Sequence, residues 1–222
     1  VQDLIGFTQS KGVTRVDGVL QAASLTISGG VLEGSGIVEG MLVMQTGFDN
    51  EGVFQRTLVR GGTHEKPGRL SFAGMVDFLE AGEGVTLEFL VASPTEFSSM
   101  HFDNVAFGYG TSIRVVLTGG FQPLAELSLP IIVIDPSGSM GGLTNLYDNF
   151  GVFHRSAAGD VYSASGHGLT YADGIFSVSL APVPEPRTWG LVLAGIVLVG
   201  GRIFRQQRKA QRSMPVAPEG TS

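Results

Sequence analysis

Residues 25–40 read Leu25-Thr26-Ile27-Ser28-Gly29-Gly30-Val31-Leu32-Glu33-Gly34-Ser35-Gly36-Ile37-Val38-Glu39-Gly40. Apolar residues recur there with period two, in pieces too short for a stable helix, and small residues separate the pieces. Period two puts alternate side chains on opposite faces of a strand. Glycine at each break lets the chain turn at no steric cost. The pattern persists along most of the chain, which carries 33 glycines. Helical periodicity is almost absent before residue 182. Short apolar runs with turns this frequent confine residues 1–181 to an all-β fold.

The expected strands are 13–20, 24–28, 37–44, 53–59, 69–73, 75–79, 85–91, 102–107, 112–117, 129–134, 152–154, 161–163, 169–171 and 175–180. The pair 69–73 and 75–79 is read as broken at Gly74. Asp173-Gly174 lies between the last two and is a hairpin signal. Two architectures accommodate such strands. In a parallel β-helix, each coil buries inward aliphatics and turns on Gly, Asn or Ser. The alternative is an antiparallel β-sandwich or jelly roll. In the first case the section from about Leu129 is expected to leave the regular coil and close it by antiparallel pairing. An uncovered solenoid end would otherwise pair with other chains.

The C-terminal part follows different rules. Residues 189–201 are Trp, Gly, Leu, Val, Ala or Ile without interruption, and Arg202, Ile203 and Phe204 follow. As a helix, residues 189–204 span about 24 Å, against a bilayer core of about 30 Å. Arg202 and Arg205 extend the span by snorkelling toward headgroups. Trp189 suits the interfacial aromatic belt at the other end. Pro182, Pro184 and Pro186 prevent helix before the run. Arg202, Arg205, Arg208, Lys209 and Arg212 place positive charge behind it. The positive-inside rule puts that basic end in the cytoplasm and the residues before Trp189 outside it. The organisation expected is an exported all-β domain (1–181), a Pro-rich spacer (182–187), a transmembrane helix (188–205) and a basic cytoplasmic tail (206–222). Val1 is not preceded by the leader that export requires. The chain is therefore expected to be the C-terminal part of a longer protein, or a processed form.

The order Val183-Pro184-Glu185-Pro186, Thr188-Trp189, apolar span, Arg cluster resembles the PEP-CTERM sorting signal of Gram-negative, biofilm-forming bacteria. The resemblance covers about the last thirty residues. It implies export across the inner membrane, retention there by the tail, and processing by an exosortase, a membrane-embedded protease. Pro184, Glu185 and Pro186 would be the residues recognised, and the cell surface or extracellular matrix the destination. Residues 213–222 continue past the basic cluster, where such signals commonly stop. A second, looser resemblance covers residues 20–150. Gly61-Gly62, Pro67-Gly68-Arg69-Leu70-Ser71-Phe72-Ala73-Gly74 and Gly120-Phe121-Gln122-Pro123 are similar to blocks near the end of autotransporter-like β-helical stalks. It implies the last coils and cap of a right-handed parallel β-helix.

Charge and composition narrow the partners. Residues 1–181 hold 8 Lys and Arg against 18 Asp and Glu, a balance of −10. An acidic outward domain argues against nucleic acid, whose phosphates need basic patches. The chain has no cysteine, which excludes disulfides, thiolate-bound metal and a cysteine nucleophile. Glycoside hydrolysis needs two facing carboxylates. Asp77, Glu80, Glu83, Glu88 and Asp103 supply acids, but their spacing does not force any two together. Arg56 and Arg60 are close in sequence without the clustered carboxylates a calcium-dependent lyase needs. His64, His101, His154 and His167 lack zinc-ligand spacing. Asp135-Pro136-Ser137-Gly138-Ser139 has the spacing of a D-x-S-x-S metal-dependent adhesion loop without its flanking elements, and reads as a turn. Tyr109, Tyr147, Tyr162 and Tyr171, with Phe78, Phe102 and Phe107, are candidates for a sugar-stacking platform or, at strand spacing, for core.

No catalytic residue, metal site or cofactor emerges. The expectation is a structural or adhesive envelope protein. Its expected partners are an exosortase, the lipid bilayer and an exopolysaccharide. Two alternatives stand beside it: a polysaccharide-active enzyme whose cleft lies upstream of Val1, and a plain single-span membrane protein.

Overall fold

Val85, Leu87, Phe89 and Val91 alternate with Thr86, Glu88 and Leu90. The strand they form sends the first set into the hydrophobic core and turns the second set the other way. Most of the protein repeats this device. The computed structural model describes residues 6–45, 47, 48, 53–78, 84–142, 146, 149–163 and 166–182. The chain divides into the unit Val1–Pro182 and the unit Val183–Ser222. All of the second falls outside the described residues.

Among the described residues, eighteen strands run in chain order. They are β1 (Phe7–Gln9), β2 (Val13–Val16), β3 (Val19–Ile27), β4 (Gly30–Gly34), β5 (Ile37–Met44), β6 (Gly47–Phe48), β7 (Phe54–Gln55), β8 (Thr57–Gly61) and β9 (Arg69–Asp77). Then follow β10 (Val85–Val91), β11 (Ser99–Ala106), β12 (Thr111–Leu117), β13 (Leu127–Ile134), β14 (Met140–Gly141), β15 (Phe150–Ser156), β16 (Gly159–Ser163), β17 (Gly168–Ala172) and β18 (Ile175–Leu180). One sheet has the order β1-β3-β5-β9-β11-β13-β18-β17, with β14 also beside β11. The other has the order β16-β15-β12-β10-β8-β4-β2, and β6 and β7 form a separate antiparallel pair.

Apart from the β6–β7 pair, the chain alternates between the two sheets as far as β13. The strands of each sheet pair in parallel with the next strand laid down there. The first three pairings are offset by 18 residues: Phe7 with Leu25, Val13 with Val31, Val19 with Ile37. Later offsets lengthen as loops intervene, as in Gly30 with Thr57 and Ser99 with Arg69. These parallel registers are not those of an antiparallel sandwich or jelly roll. The fold is all-β, with parallel pairing giving way to mixed pairing at the C-terminal end. There β18 runs antiparallel to β13 and β17, and β16 antiparallel to β15. Asp173 and Gly174, both at positive φ, turn the β17–β18 hairpin as their sequence requires.

Buried side chains from both sheets form one core. Phe72 stacks on Phe102 at 4.8 Å, and Phe78 on Phe107 at 5.7 Å. Phe102 and Phe176 meet the Phe107 ring edge to face. Each such pair contributes roughly 0.5–1.5 kcal/mol beyond simple burial.

Several expected boundaries change: residues 53–59 hold β7 and the start of β8, parted at Arg56, and residues 24–27 belong to β3. Residues 13–20 are two strands, parted at Asp17-Gly18. The glycine-bounded segment β4, absent from the expected strands, is a strand. Residues 69–77 form one strand, whereas Gly74 reads in the sequence as a break. Gly74 (φ +137°) bends the strand without ending it: a Cβ there would strike the backbone oxygen of Gly40 on β5. The glycine marks close backbone approach between stacked strands.

Candidate binding groove

The outward face of the second sheet carries two adjoining rows of polar side chains. In the first, Thr86 on β10 stands beside Ser112 on β12. Ser112 Oγ lies 3.3 Å from the carbonyl of Val85, to which it donates, and 3.0 Å from Thr86 Oγ1. With the serine proton so used, Thr86 donates to Ser112. These hydroxyls floor a shallow groove of two connected hollows, about 340 and 290 Å³.

Tyr109, in the turn before β12, flanks one hollow with its side chain 89% exposed. Asn149 ties this turn to the start of β15: its Nδ2 donates to Tyr109 O at 3.2 Å, and its carbonyl accepts from Ile113 N at 2.8 Å. Arg56 lies exposed on the same side. In the second hollow Tyr162, 60% exposed on β16, meets the Phe153 ring edge on at 5.5 Å. The Arg114 guanidinium lies over Phe153 at 4.6 Å. Gly151 stands opposite Arg114 in the β12–β15 register. A side chain at 151 would come within 3.0 Å of the Phe153 ring, so the missing Cβ makes room for the aromatic wall.

The second row is ionic and lies two residues further along the same strands. Glu33, Arg60, Glu88 and Arg114 are register neighbours on β4, β8, β10 and β12, with alternating sign. Arg60 Nε donates to Glu88 Oε1 at 2.7 Å and its Nη1 to Glu33 Oε2 at 2.8 Å. Glu88 also has Arg114 and Arg155 at 3.7 Å. Asp160, on the β15–β16 hairpin, accepts from Arg114 and from Arg155 Nε at 3.1 Å. Arg155 Nη1 reaches His64 O at 2.6 Å. Burial acts to raise the Asp160 pKa, but the Arg155 hydrogen bond, the charges of Arg155 and Arg114 and that of His64 outweigh it. The net effect holds this carboxyl below its ordinary value. Charges this deeply placed persist only with partners of opposite sign.

The other candidates from the sequence disperse. Glu88 belongs to the ionic row, and Asp77 and Asp103 lie on β9 and β11 of the other sheet. Glu80, Glu83 and Tyr147 fall outside the described residues. Arg56 and Arg60 part, one to the groove rim and one to the ionic row. His101 Nδ1 is 2.7 Å from Arg69 Nη2. His167 lies between Ser163 and the backbone of Ala181. Among the described residues, no group of three His, Asp or Glu is placed to hold a metal ion. Asp135 closes its own loop. Its Oδ1 accepts from Ser137 N at 2.8 Å and Ser137 Oγ at 2.6 Å, and these bonds lower its pKa. Phe78, Phe102 and Phe107 are core, and Tyr171 packs on Phe176 at 4.7 Å. Of the aromatic candidates, Tyr109 and Tyr162 flank the groove.

Pro184, Glu185, Pro186, Trp189, the span 188–205 and the cations Arg202, Arg205, Arg208, Lys209 and Arg212 all lie outside the described residues. Among the described residues no helix is long and apolar enough to cross a membrane. The ionic row escaped sequence reading. Its members Glu33, Arg60, Glu88 and Arg114 lie on four separate strands, and no local pattern joins them.

Comparison of the chain with protein-family models, curated proteins and solved structures finds no match.

Proposed function

We propose that this chain is an exported cell-envelope protein, sorted through its C-terminal tail, whose β domain serves as a structural or adhesive module outside the cytoplasm. The observation that carries the reading is the three-part order of the tail. A Pro-Glu-Pro element stands before an apolar span, and a cluster of five cations closes it. In this reading the basic cluster Arg202, Arg205, Arg208, Lys209 and Arg212 stops translocation. Each cation near an anionic leaflet adds about 1 kcal/mol to retention. The proline spacer keeps the processing region extended and clear of the folded domain. Exosortase recognition would fall on Pro184, Glu185 and Pro186, with Trp189 at the outer interface.

The β domain is read as the last coils and cap of a parallel β-helix. Alternation between two sheets, repeated parallel registers and antiparallel closure at one end support that reading. Stacked coils make a stiff rod, suited to projecting a surface into a matrix.

The test is the intact mass of the mature protein from cells, beside a variant carrying Pro184→Ala, Glu185→Ala and Pro186→Ala. Loss of the tail near the motif in the wild type, and its retention in the variant, is the expected outcome. A full tail in both would reduce the motif to a spacer and overturn the sorting reading.

A further inference from the structure

We propose that the groove on the outward face of the second sheet binds an acidic polysaccharide, laid across β10, β12 and β15. The inference rests on the domain facing outward, where such polymers occur.

Four features converge on that ligand. Tyr109 and Tyr162, 89% and 60% exposed, each line one of the two adjoining hollows of the groove. Rings left in water at such a place offer flat apolar faces for the C–H faces of sugars. Between them the floor is Thr86 and Ser112, with the Asn149 amide beside them. These neutral groups both donate and accept, as sugar hydroxyls require. The polar positions repeat across strands about 4.8 Å apart, close to the length of one pyranose unit along a chain, so adjacent strands can meet adjacent units.

Charge selects the acidic class. Arg56 and Arg114 line the two hollows, and no acidic side chain lines them among the described residues. This occurs on a domain whose balance is strongly negative. Arg114 is engaged by Glu88 and Asp160, whereas Arg56 is exposed at the rim. A guanidinium there can take a uronate carboxylate through two parallel hydrogen bonds. Other polymers fit less well. A peptide strand docks along a sheet edge, while this groove crosses a sheet face. A nucleic acid needs basic residues in number to match its phosphates, and the groove has two.

The experiment titrates the full chain, in nonionic detergent, with alginate oligosaccharide and with neutral cellohexaose. The variants are Tyr109→Ala, Tyr162→Ala and Arg56→Gln, each with thermal unfolding measured to show an intact fold. The wild type is expected to bind alginate at least 10-fold more tightly than cellohexaose. Each tyrosine variant is expected to lose about 10-fold in alginate affinity, and Arg56→Gln to erase the preference for alginate. Absence of alginate binding, alginate binding indifferent to both tyrosines, or equal affinity for the two sugars would overturn the proposal. Tail processing is read by mass and sugar binding by titration, so either reading can fail while the other stands.

Discussion

Arg60 Nε donates to Glu88 Oε1 at 2.7 Å across the β8–β10 pair, with the two side chains only 6% and 2% exposed. Glu88 is the anion that Arg60, Arg114 and Arg155 share. Glu88→Ala leaves those cations with Glu33 and Asp160 alone. Removing one partner of a buried pair costs roughly 3–5 kcal/mol. Urea unfolding followed by circular dichroism should show a loss of that order. The double variant Arg60→Met/Glu88→Leu should lose less than Glu88→Ala, because it removes a charge along with its partner. A Glu88→Ala midpoint close to wild type would contradict this account of the row.

Gly40 and Gly74 occupy the same level of neighbouring strands in the first sheet. Gly40 sits at φ +118°, and a Cβ there would strike the carbonyl oxygen of Ala22 on β3. Gly40→Ala combines left-handed strain of about 1–2 kcal/mol with overpacking of about 1–3 kcal/mol. It should lower the unfolding free energy by about 2–5 kcal/mol. Alanine at 141, where nothing lies within 4 Å and φ is ordinary, should change stability by less than about 0.5 kcal/mol. The same urea titration compares the two.

How far the fold is legible before folding depends on what each strand faces. Ile175–Leu180 reads directly, because one face is core and burial alternates cleanly. Ile37–Met44 and Val85–Val91 read directly from their apolar residues, although the alternation breaks at Gly40 in the first and both faces are buried from Leu87 to Val91 in the second. β4 does not, since glycines stand at both ends of its five residues. Gly74 misleads for a related reason. In stacked strands a glycine can mark contact with a neighbouring backbone, where a linear reading sees a stop. The 18-residue offset of Val13 to Val31 and Val19 to Ile37 is present in the sequence and fades after β5, where insertions lengthen the spacing between paired strands. The groove is the least legible part. Its floor and walls come from residues as far apart as Arg56 and Tyr162, brought together only by stacking, and no local pattern joins them.

Thr57 and Thr111 stand on either side of Val85 in register, pointing inward from β8 and β12. Both are essentially inaccessible, and each Oγ1 lacks a hydrogen-bond partner among the described residues. An unsatisfied buried hydroxyl costs about 1–3 kcal/mol. Valine has nearly the same shape and no such penalty. Thr57→Val and Thr111→Val should each raise stability by about 1 kcal/mol, with the urea midpoint moving up and the slope unchanged. A downward shift would mean that the hydroxyl has an ordered partner.

Acid should weaken the domain in two stages, both at its C-terminal end. His167 has its pKa lowered below 6.5, first by burial and then by the nearby charge of His154. Its Nδ1 accepts the Ala181 N–H at 3.1 Å, which requires that nitrogen unprotonated. A depressed pKa means the unfolded chain binds the proton first, so this contribution is complete above about pH 6.5 and is lost as pH falls through the folded-state value. Asp160 follows the same sign at lower pH. Its carboxyl is held below the ordinary 3.8, so its contribution is present above that value and disappears as the acid form takes over. Unfolding midpoints measured from pH 8 to pH 3 should therefore begin to fall below about pH 6.5 and fall further near pH 4. His167→Gln should flatten the first decline and leave the second. Asp160→Asn should lower stability at neutral pH and flatten the second, since Arg114 and Arg155 then lose the carboxylate to which both donate and keep that of Glu88 at 3.7 Å.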